Sequence, residues 1–349
     1  MTMVEADARG MELDPTYSQL KRHIIDATGL AYYLDKDAEL ITQLSRRMAA
    51  LGIANCSTYL NLLRNGGAGE AEHDALAEGL TIGETSFFRH QEAFDAIRYR
   101  VFPELIERNR QHRRLRIWSA GCATGAEPYS LAILLRRDFG PQLADWDVTI
   151  LGTDINREFL AQGQRGEFSD WAFRSACDDL KNACFVRSQQ TWRIKDEYRR
   201  GVLFQYHNLV QHPFPSLINS LSAFDMVLCR NVMIYFDPAI VRRSVGRFYD
   251  CLVDGGWFVV GPTEPSVELF RAFQTVNAPG AVLYHKGPGA SVFPAWPTLG
   301  ATLPNVPAPI NGQALVDLAA SCAKSEPKPA TPSRRPHAPR RASRSSANS

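Results

Sequence analysis

The stretch "WSAGCATGAEPYSLAILL", residues 118–135, decides the fold. An apolar run ends in a tight turn holding Gly121 and Gly125, and a helix follows with Glu127 and Pro128 in its first turn. Proline is tolerated there because the N–H it lacks would have no helical partner, and an acid suits the positive end of the helix dipole. The two glycines let backbone come close to a ligand, as in nucleotide-binding folds. The spacing is not GxGxxG, and an acid at the helix start repels a pyrophosphate. The turn therefore disfavours a dinucleotide and favours a cationic or neutral ligand.

Working outward, "LRIWSAG" (115–121), "DVTILGTD" (147–154), "FDMVLCRN" (224–231) and "GGWFVVG" (255–261) are short apolar runs alternating with helical patterns. That alternation predicts a parallel sheet of the α/β class. Between the second and third runs, alternating and aromatic residues predict a small antiparallel insertion at about residues 166–206. Upstream, residues 12–80 read as short helices, with Asp14 and Pro15 at the start of the first and Gly29 after its end. In the next helix Leu40, Ile41, Leu44, Met48 and Leu51 recur at helical spacing and share one face, while Arg46 and Arg47 point elsewhere, toward solvent. No internal repeat is present.

The chain has 349 residues, 45% of them hydrophobic and 22% charged, an ordinary balance for a globular protein of about two domains. No apolar run approaches the roughly 18 residues of a membrane span and the start has no signal pattern, which predicts a cytoplasmic protein. Seven cysteines are scattered without a CxxC pair or a histidine at metal spacing, so reduced, mostly buried thiols and no metal are expected. The net charge of +2 conceals a split: residues 288–349 carry +5 and 11 of the 21 prolines, leaving about −3 elsewhere. Such a composition predicts a disordered tail.

Asp154 ends the second run, where a carboxylate accepts hydrogen bonds from both ribose hydroxyls of an adenosine. It also reads as a cap for the helix "INREFLAQ". "CRNVMIYFDP" places Arg230, Asn231 and Tyr235 at the carboxyl edge of the sheet, where open α/β folds bind ligands.

"ETSFFR", "WSAGCATGAEPYS", "GTDIN", "HNL", "CRNVMIYFD" and "GGWFVVGPTE" follow in an order that resembles the chemotaxis receptor glutamate methyltransferases of the CheR type, over roughly residues 12–287. The resemblance implies a Rossmann-like S-adenosylmethionine-dependent methyltransferase sheet with a small inserted β subdomain, preceded by an all-α N-terminal domain. It divides the chain into a helical domain (12–80), a linker or lid (81–92), a catalytic domain (93–287) and the tail. It implies methyl transfer from S-adenosyl-L-methionine to receptor glutamates, leaving γ-glutamyl methyl esters and S-adenosyl-L-homocysteine.

By the same resemblance Thr85 and Arg89 contact the cofactor, Glu127 its methionine amino group and Asp154 its ribose hydroxyls, and Asn208, Leu209, Arg230 and Asn231 complete the pocket. Phe87 and Phe88 anchor the lid by packing. Gly83 departs from the family, which usually has Asn there, and puts one cofactor contact in doubt. A glutamate carboxylate is already ionised at neutral pH, so no general base is required. Tyr235 is expected to orient that carboxylate by a neutral hydrogen bond, with Arg89 holding cofactor and lid. These two are the candidate catalytic residues.

Arg46 and Arg47 match the family's basic helix and are expected to meet the acidic face of chemoreceptor helices. The insertion lacks the Gly-x-Gly loop of relatives that dock on a receptor's C-terminal pentapeptide, which predicts pentapeptide-independent recognition. "GPTEPS" and "NAPGAVLYHKG" resemble a surface-sensing branch of the family, without its appended repeats. The competing readings are an adenosylmethionine enzyme acting on RNA or a small molecule, a non-catalytic receptor-binding module and a nicotinamide dehydrogenase. The first lacks the helical part and lid, the second does not explain the retained polar set, and the acid at the glycine turn disfavours the third.

Overall fold

The computed structural model describes residues 11–287, so the tail expected over 288–349 lies outside the described residues. The strands are β1 (Arg114–Ala120), β2 (Asp147–Asp154), β3 (Glu167–Phe168), β4 (Phe185–Ser188), β5 (Thr191–Ile194), β6 (Val202–Tyr206), β7 (Phe224–Cys229), β8 (Leu252–Val260), β9 (Gln274–Ala278) and β10 (Ala281–His285). Seven of them form one sheet in the order β6-β2-β1-β7-β8-β10-β9. β1 lies parallel to β2 on one side and to β7 on the other, with Ile117 opposite both Ile150 and Met226. The chain works outward from β1 through β2 to β6 and then returns to β7. This reversal opens a crevice at the carboxyl ends of β1 and β7, where such sheets bind ligands.

The expected strands are present, and two features differ from the sequence reading. Residues 202–206, placed in the insertion, form β6, which pairs in parallel with β2 from Ile150–Val202 to Asp154–Tyr206. β6 (VLFQY) follows the aromatic-rich insertion strands and, as an edge strand with Leu203 exposed, lacks the buried run of a central parallel strand, so sequence pattern alone assigns it wrongly. The insertion proper is the three-stranded sheet β3-β5-β4. The second feature is the antiparallel hairpin β9–β10, which closes the sheet against β8 through Leu283–Val259.

Apolar faces cover both sides of the sheet. Trp118, Phe214, Phe224, Phe248 and Phe258 form one core, and Ile117, Phe94, Phe102, Tyr129 and Phe139 belong to the other. A third cluster lies within the N-terminal helices and includes Leu20, Ile24, Leu40, Ile41, Leu44, Met48 and Tyr59. Leu51, expected on the same face, is 44% exposed because the helix Asp37–Ala50 ends before it.

The helix Tyr17–Thr28 ends at Gly29, whose φ of 77° is the left-handed conformation that glycine adopts freely. A Cβ there would run into Val210 and Phe236 of the sheet portion, so glycine is required for space as well. Leu30 then forms an isolated antiparallel bridge with Phe236, and Asn208 Nδ2 donates to the Ala27 carbonyl at 2.9 Å. These contacts seat the end of the first helix over the carboxyl edge of the sheet. Asn156 Nδ2 to Thr81 Oγ1 (2.8 Å) and Arg157 to Asp74 (2.6 Å) fasten the last N-terminal helix, Gly66–Leu80, and the residue after it.

Candidate active site

The loops leaving β1, β2, β6 and β7 converge on one cleft. Its walls include Gly121, Cys122, Ala123 and Glu127 after β1, Asp154 and Ile155 from β2, His207, Asn208 and Leu209 after β6, and Arg230, Asn231, Val232 and Tyr235 after β7. Glu84, Thr85, Ser86 and Arg89 supply a further wall, and Thr28, Leu30, Tyr32 and Tyr33 of the helical region a roof. All nine residues expected to bind cofactor or act on substrate, Thr85, Arg89, Glu127, Asp154, Asn208, Leu209, Arg230, Asn231 and Tyr235, therefore line the same cleft.

The glycine turn is built as its residues dictate. Gly121 has φ 74°, and a Cβ there would overlap Val232. Gly125, at φ 90°, precedes the helix Ala126–Phe139 and puts Glu127 in its first turn. The Glu127 carboxylate accepts from Ser119 Oγ at 2.7 Å and from Arg230 Nη1 at 2.8 Å. Arg230 Nη2 donates to the Arg89 carbonyl at 2.6 Å, so this buried arginine joins the helix Ala126–Phe139 to the segment 81–92. Its Nε is buried without a hydrogen-bond partner among the described residues.

Asp154 is buried and accepts the Ala123 and Asn156 amides, each at 2.9 Å, one on each carboxylate oxygen. Burial raises its pKa above the usual carboxylate value, and those backbone donors act against the shift. The helix Arg157–Arg165 is capped by Asn156, whose side chain accepts the Phe159 amide at 3.1 Å; Asp154 is not the cap. It only orients the cap residue, which leaves oxygen lone pairs open toward the cleft.

Asn208, which lines the cleft, also has a structural part. Its Oδ1 accepts the Val210 amide at 2.9 Å, and its Nδ2 is the tether to Ala27 already described. The side chain thus ties the helical roof to the sheet. Tyr235 packs edge-on against Tyr32, with ring centroids 5.9 Å apart. Burial raises the Tyr235 pKa, with nearby Arg89 opposing the shift, so the phenol is neutral and able to donate. Arg89 donates from its guanidinium to the Glu84 carbonyl at 2.6 Å.

The segment 81–92 is anchored by aromatic packing. Phe87 is fully buried and sits 4.8–5.0 Å from the rings of Phe168, Phe173 and Phe185 of the insertion. The Phe88 amide donates to Ser130 Oγ at 3.0 Å. Beside Gly83 the space is taken by Phe159, whose ring any Cβ at 83 would overlap, and Phe159 itself lines the cleft. A phenyl ring thus stands where the asparagine expected of relatives has no room.

Arg46 and Arg47 lie away from the cleft and differ from each other. Arg46 is exposed and donates to Gln43 Oε1 at 2.7 Å. Arg47 instead forms a two-pronged pair with Glu72 at 2.9 and 2.6 Å, and Tyr59 donates to the same carboxylate at 2.6 Å. Its expected solvation is corrected accordingly.

Sequence reasoning missed Tyr32, Phe159 and Glu264. Glu264, buried behind the β7 loop, accepts the backbone amides of Asn231 (2.8 Å), Val232 (3.2 Å), Met233 (3.1 Å) and Gly261 (2.7 Å). It thereby holds Asn231 at φ 58°. The "GPTE" run carries this residue, but nothing local links it to a turn about thirty residues earlier. Tyr32 leaves no signal beyond a pair of adjacent tyrosines.

A family model described as "CheR methyltransferase, SAM binding domain" matches residues 83–282. The chain is 32% identical over 234 residues to a probable chemotaxis protein methyltransferase of Rhizobium etli, covering 66% of this chain and 84% of that protein. It is 29% identical over 273 residues to chemotaxis protein methyltransferase 1 of Pseudomonas aeruginosa, covering 76% and 96% of the two chains. Over 274 residues it is 27% identical to chemotaxis protein methyltransferase 2 of Vibrio cholerae, covering 78% and 93%.

Proposed function

The chain belongs to the CheR methyltransferase family, and from that premise we propose that it esterifies glutamate side chains of chemoreceptors. It is an S-adenosylmethionine-dependent methyltransferase. The residues present fit that cofactor. The Asp154 carboxylate has lone pairs open for a ribose diol, Glu127 is an anion suited to an ammonium group, and Gly121, where Val232 leaves no room for a side chain, presents bare backbone at the cleft wall. Arg89 and Arg230 offer cations for a carboxylate. When bound, the cofactor supplies a methyl group carried on a sulfonium.

The observation that most supports glutamate as acceptor is a neutral phenol, Tyr235, beside the lid arginine in a cleft where Glu127 and Asp154 are already engaged by hydrogen bonds. An ionised glutamate needs orientation and dehydration. Carboxylate and sulfonium neutralise each other as the ester forms, so a dry site that aligns them lowers the barrier. Alignment of this kind supplies up to ~7–11 kcal/mol. A cation clamped on the attacking carboxylate would favour the ground state, whereas a neutral donor orients it with less of that cost.

Receptor recognition on this reading does not require a C-terminal pentapeptide. The β4–β5 hairpin turns through Gln189 and Gln190, with no Gly-x-Gly loop. Arg46, exposed on the helical region, is the better candidate to meet acidic receptor helices, and Arg47 contributes by fixing the helix. Among the described residues no helix is long and apolar enough to cross a membrane.

The test uses methyl-labelled S-adenosylmethionine, purified protein and membranes from cells lacking it, with label released as methanol by mild base. Base-labile label on a receptor-sized band supports the reading. Absence of label on a receptor known to accept it, despite cofactor binding, refutes it. Removing the receptor's last five residues should leave labelling within about twofold.

A further inference from the structure

The inserted sheet is joined to the lid by more than the Phe87 anchor. The Phe87 amide donates to the Ala172 carbonyl at 2.8 Å, and Ser86 Oγ lies 3.0 Å from Ser175 Oγ. Arg174, between those two positions, spans the rest. Its Nη1 donates to the Thr85 carbonyl at 3.0 Å and to the Trp171 carbonyl at 2.8 Å, and its Nη2 pairs with the Glu84 carboxylate. The guanidinium also lies 4.7 Å from the centre of the Trp171 ring. Glu84, Thr85 and Ser86 line the cleft, whereas Arg174 stands behind them.

We infer that Arg174 is a positioning residue for cofactor binding: from the insertion it fixes the backbone of Thr85 and Glu84 in the geometry that closes the cleft. The lid is pinned at Phe87 by packing and at Arg89 by the Arg230 bond to its carbonyl. The stretch just before Phe87 is where the chain crosses from the helical region to the sheet. A segment ordered before the ligand arrives does not have to lose that freedom on binding, so pinning it raises affinity without a new ligand contact. The planar fork serves the two carbonyls from one nitrogen and the carboxylate from the other, a spacing that a single ammonium nitrogen does not reproduce. A lysine ammonium keeps the charge but not the geometry. On this account the inserted subdomain is part of the cofactor site at one remove.

The inference rests on the cleft being the cofactor site. It is read by S-adenosylhomocysteine binding without any receptor, so its failure is distinguishable from failure of the glutamate reading. Calorimetric titration of the full chain should show Arg174→Ala binding S-adenosylhomocysteine roughly tenfold more weakly. With an acceptor supplied, KM for S-adenosylmethionine should rise in parallel while kcat at saturation stays within about twofold. Arg174→Lys should fall between the two. Glu84→Gln and Arg174→Ala combined should lose less than the product of the single losses, since both cut one pair. Wild-type affinity in Arg174→Ala, or a fall in kcat with unchanged affinity, overturns the assignment. Should Arg174→Ala lose its cooperative melting transition, Arg174→Lys and Glu84→Gln decide, and wild-type affinity in both overturns it equally.

Discussion

Replacing Glu264 by glutamine keeps the shape of the side chain and removes its charge, at a point where four backbone amides converge on two oxygens. The glutamine retains one oxygen, so two of those amides lose their acceptor and face an NH2 group instead. A hydrogen bond to a charged group contributes roughly 1.5–3 kcal/mol, giving a gross loss of about 3–6 kcal/mol. Part is returned because a buried carboxylate no longer has to be kept dehydrated, which leaves a net destabilisation of about 2–4 kcal/mol. The folded state survives this, since domains of this kind are stable by roughly 5–15 kcal/mol. The damage concentrates in the β7 loop, because Asn231 is held at φ 58° with its amide bonded to that carboxylate. Urea unfolding and calorimetric titration with S-adenosylhomocysteine measure the two consequences, and the affinity should fall at least fivefold. A stability loss below about 1 kcal/mol with unchanged affinity would refute the view that Glu264 builds the loop carrying Arg230 and Asn231.

Four further outcomes are expected. Tyr235→Phe should lower kcat with S-adenosylhomocysteine affinity nearly intact, while Arg89→Ala weakens that affinity; equal loss of affinity in both removes the division of roles. Arg47→Ala strips the partner from a carboxylate that is 5% exposed and should cost about 2–3 kcal/mol in thermal unfolding, whereas Arg46→Ala costs under about 0.5 kcal/mol. Arg46→Glu should instead reduce receptor methylation at unchanged stability. Gly83→Asn should lower both stability and cofactor affinity, by overlap with Phe159, and adding Phe159→Ala should restore part of each. Burial pushes the His207 pKa down to about 4 from its ordinary 6.5, so between those values the unfolded chain takes up a proton that the folded chain refuses. Its contribution is therefore complete above pH 6.5 and lost as the pH falls toward 4, by about 3 kcal/mol. His207→Phe should flatten that acid limb in urea unfolding measured between pH 7 and pH 4.

Much of the site is legible in the chain because its residues sit at the ends of strands, and strand ends are what a short apolar run bounded by glycine or polar residues marks. Asp154 and Arg230 are legible this way, each at the end of a strand revealed by alternation with helices, and Glu127 is legible from the helix start that follows the glycine turn. The same signal fails for β6, an edge strand that lacks the buried run of a central parallel one, and it is silent about Asp154 being anchored by Ala123. The resemblance places Asn208 in the cofactor pocket, which it lines, but the sequence is silent about its amide also bonding the first helix and its own loop. Arg46 and Arg47 are adjacent and chemically identical in the sequence. Whether an arginine is a free cation or the partner of a buried acid depends on what the next helix brings opposite it.

Sequence alone determined the elements, the sheet class and the glycine turn, which follow from local preferences and from periodicity acting within a few residues; the roles expected of the acids, the arginines and the phenol rest on the resemblance to the family. Only the tertiary structure decided that Tyr32 roofs the cleft, that Phe159 stands beside Gly83, that Glu264 holds the β7 loop and that Arg174 holds the lid. Each of these joins residues about 30 to 200 positions apart, and the geometry of such a hydrogen bond or ring contact exists only after the sheet has brought the loops together.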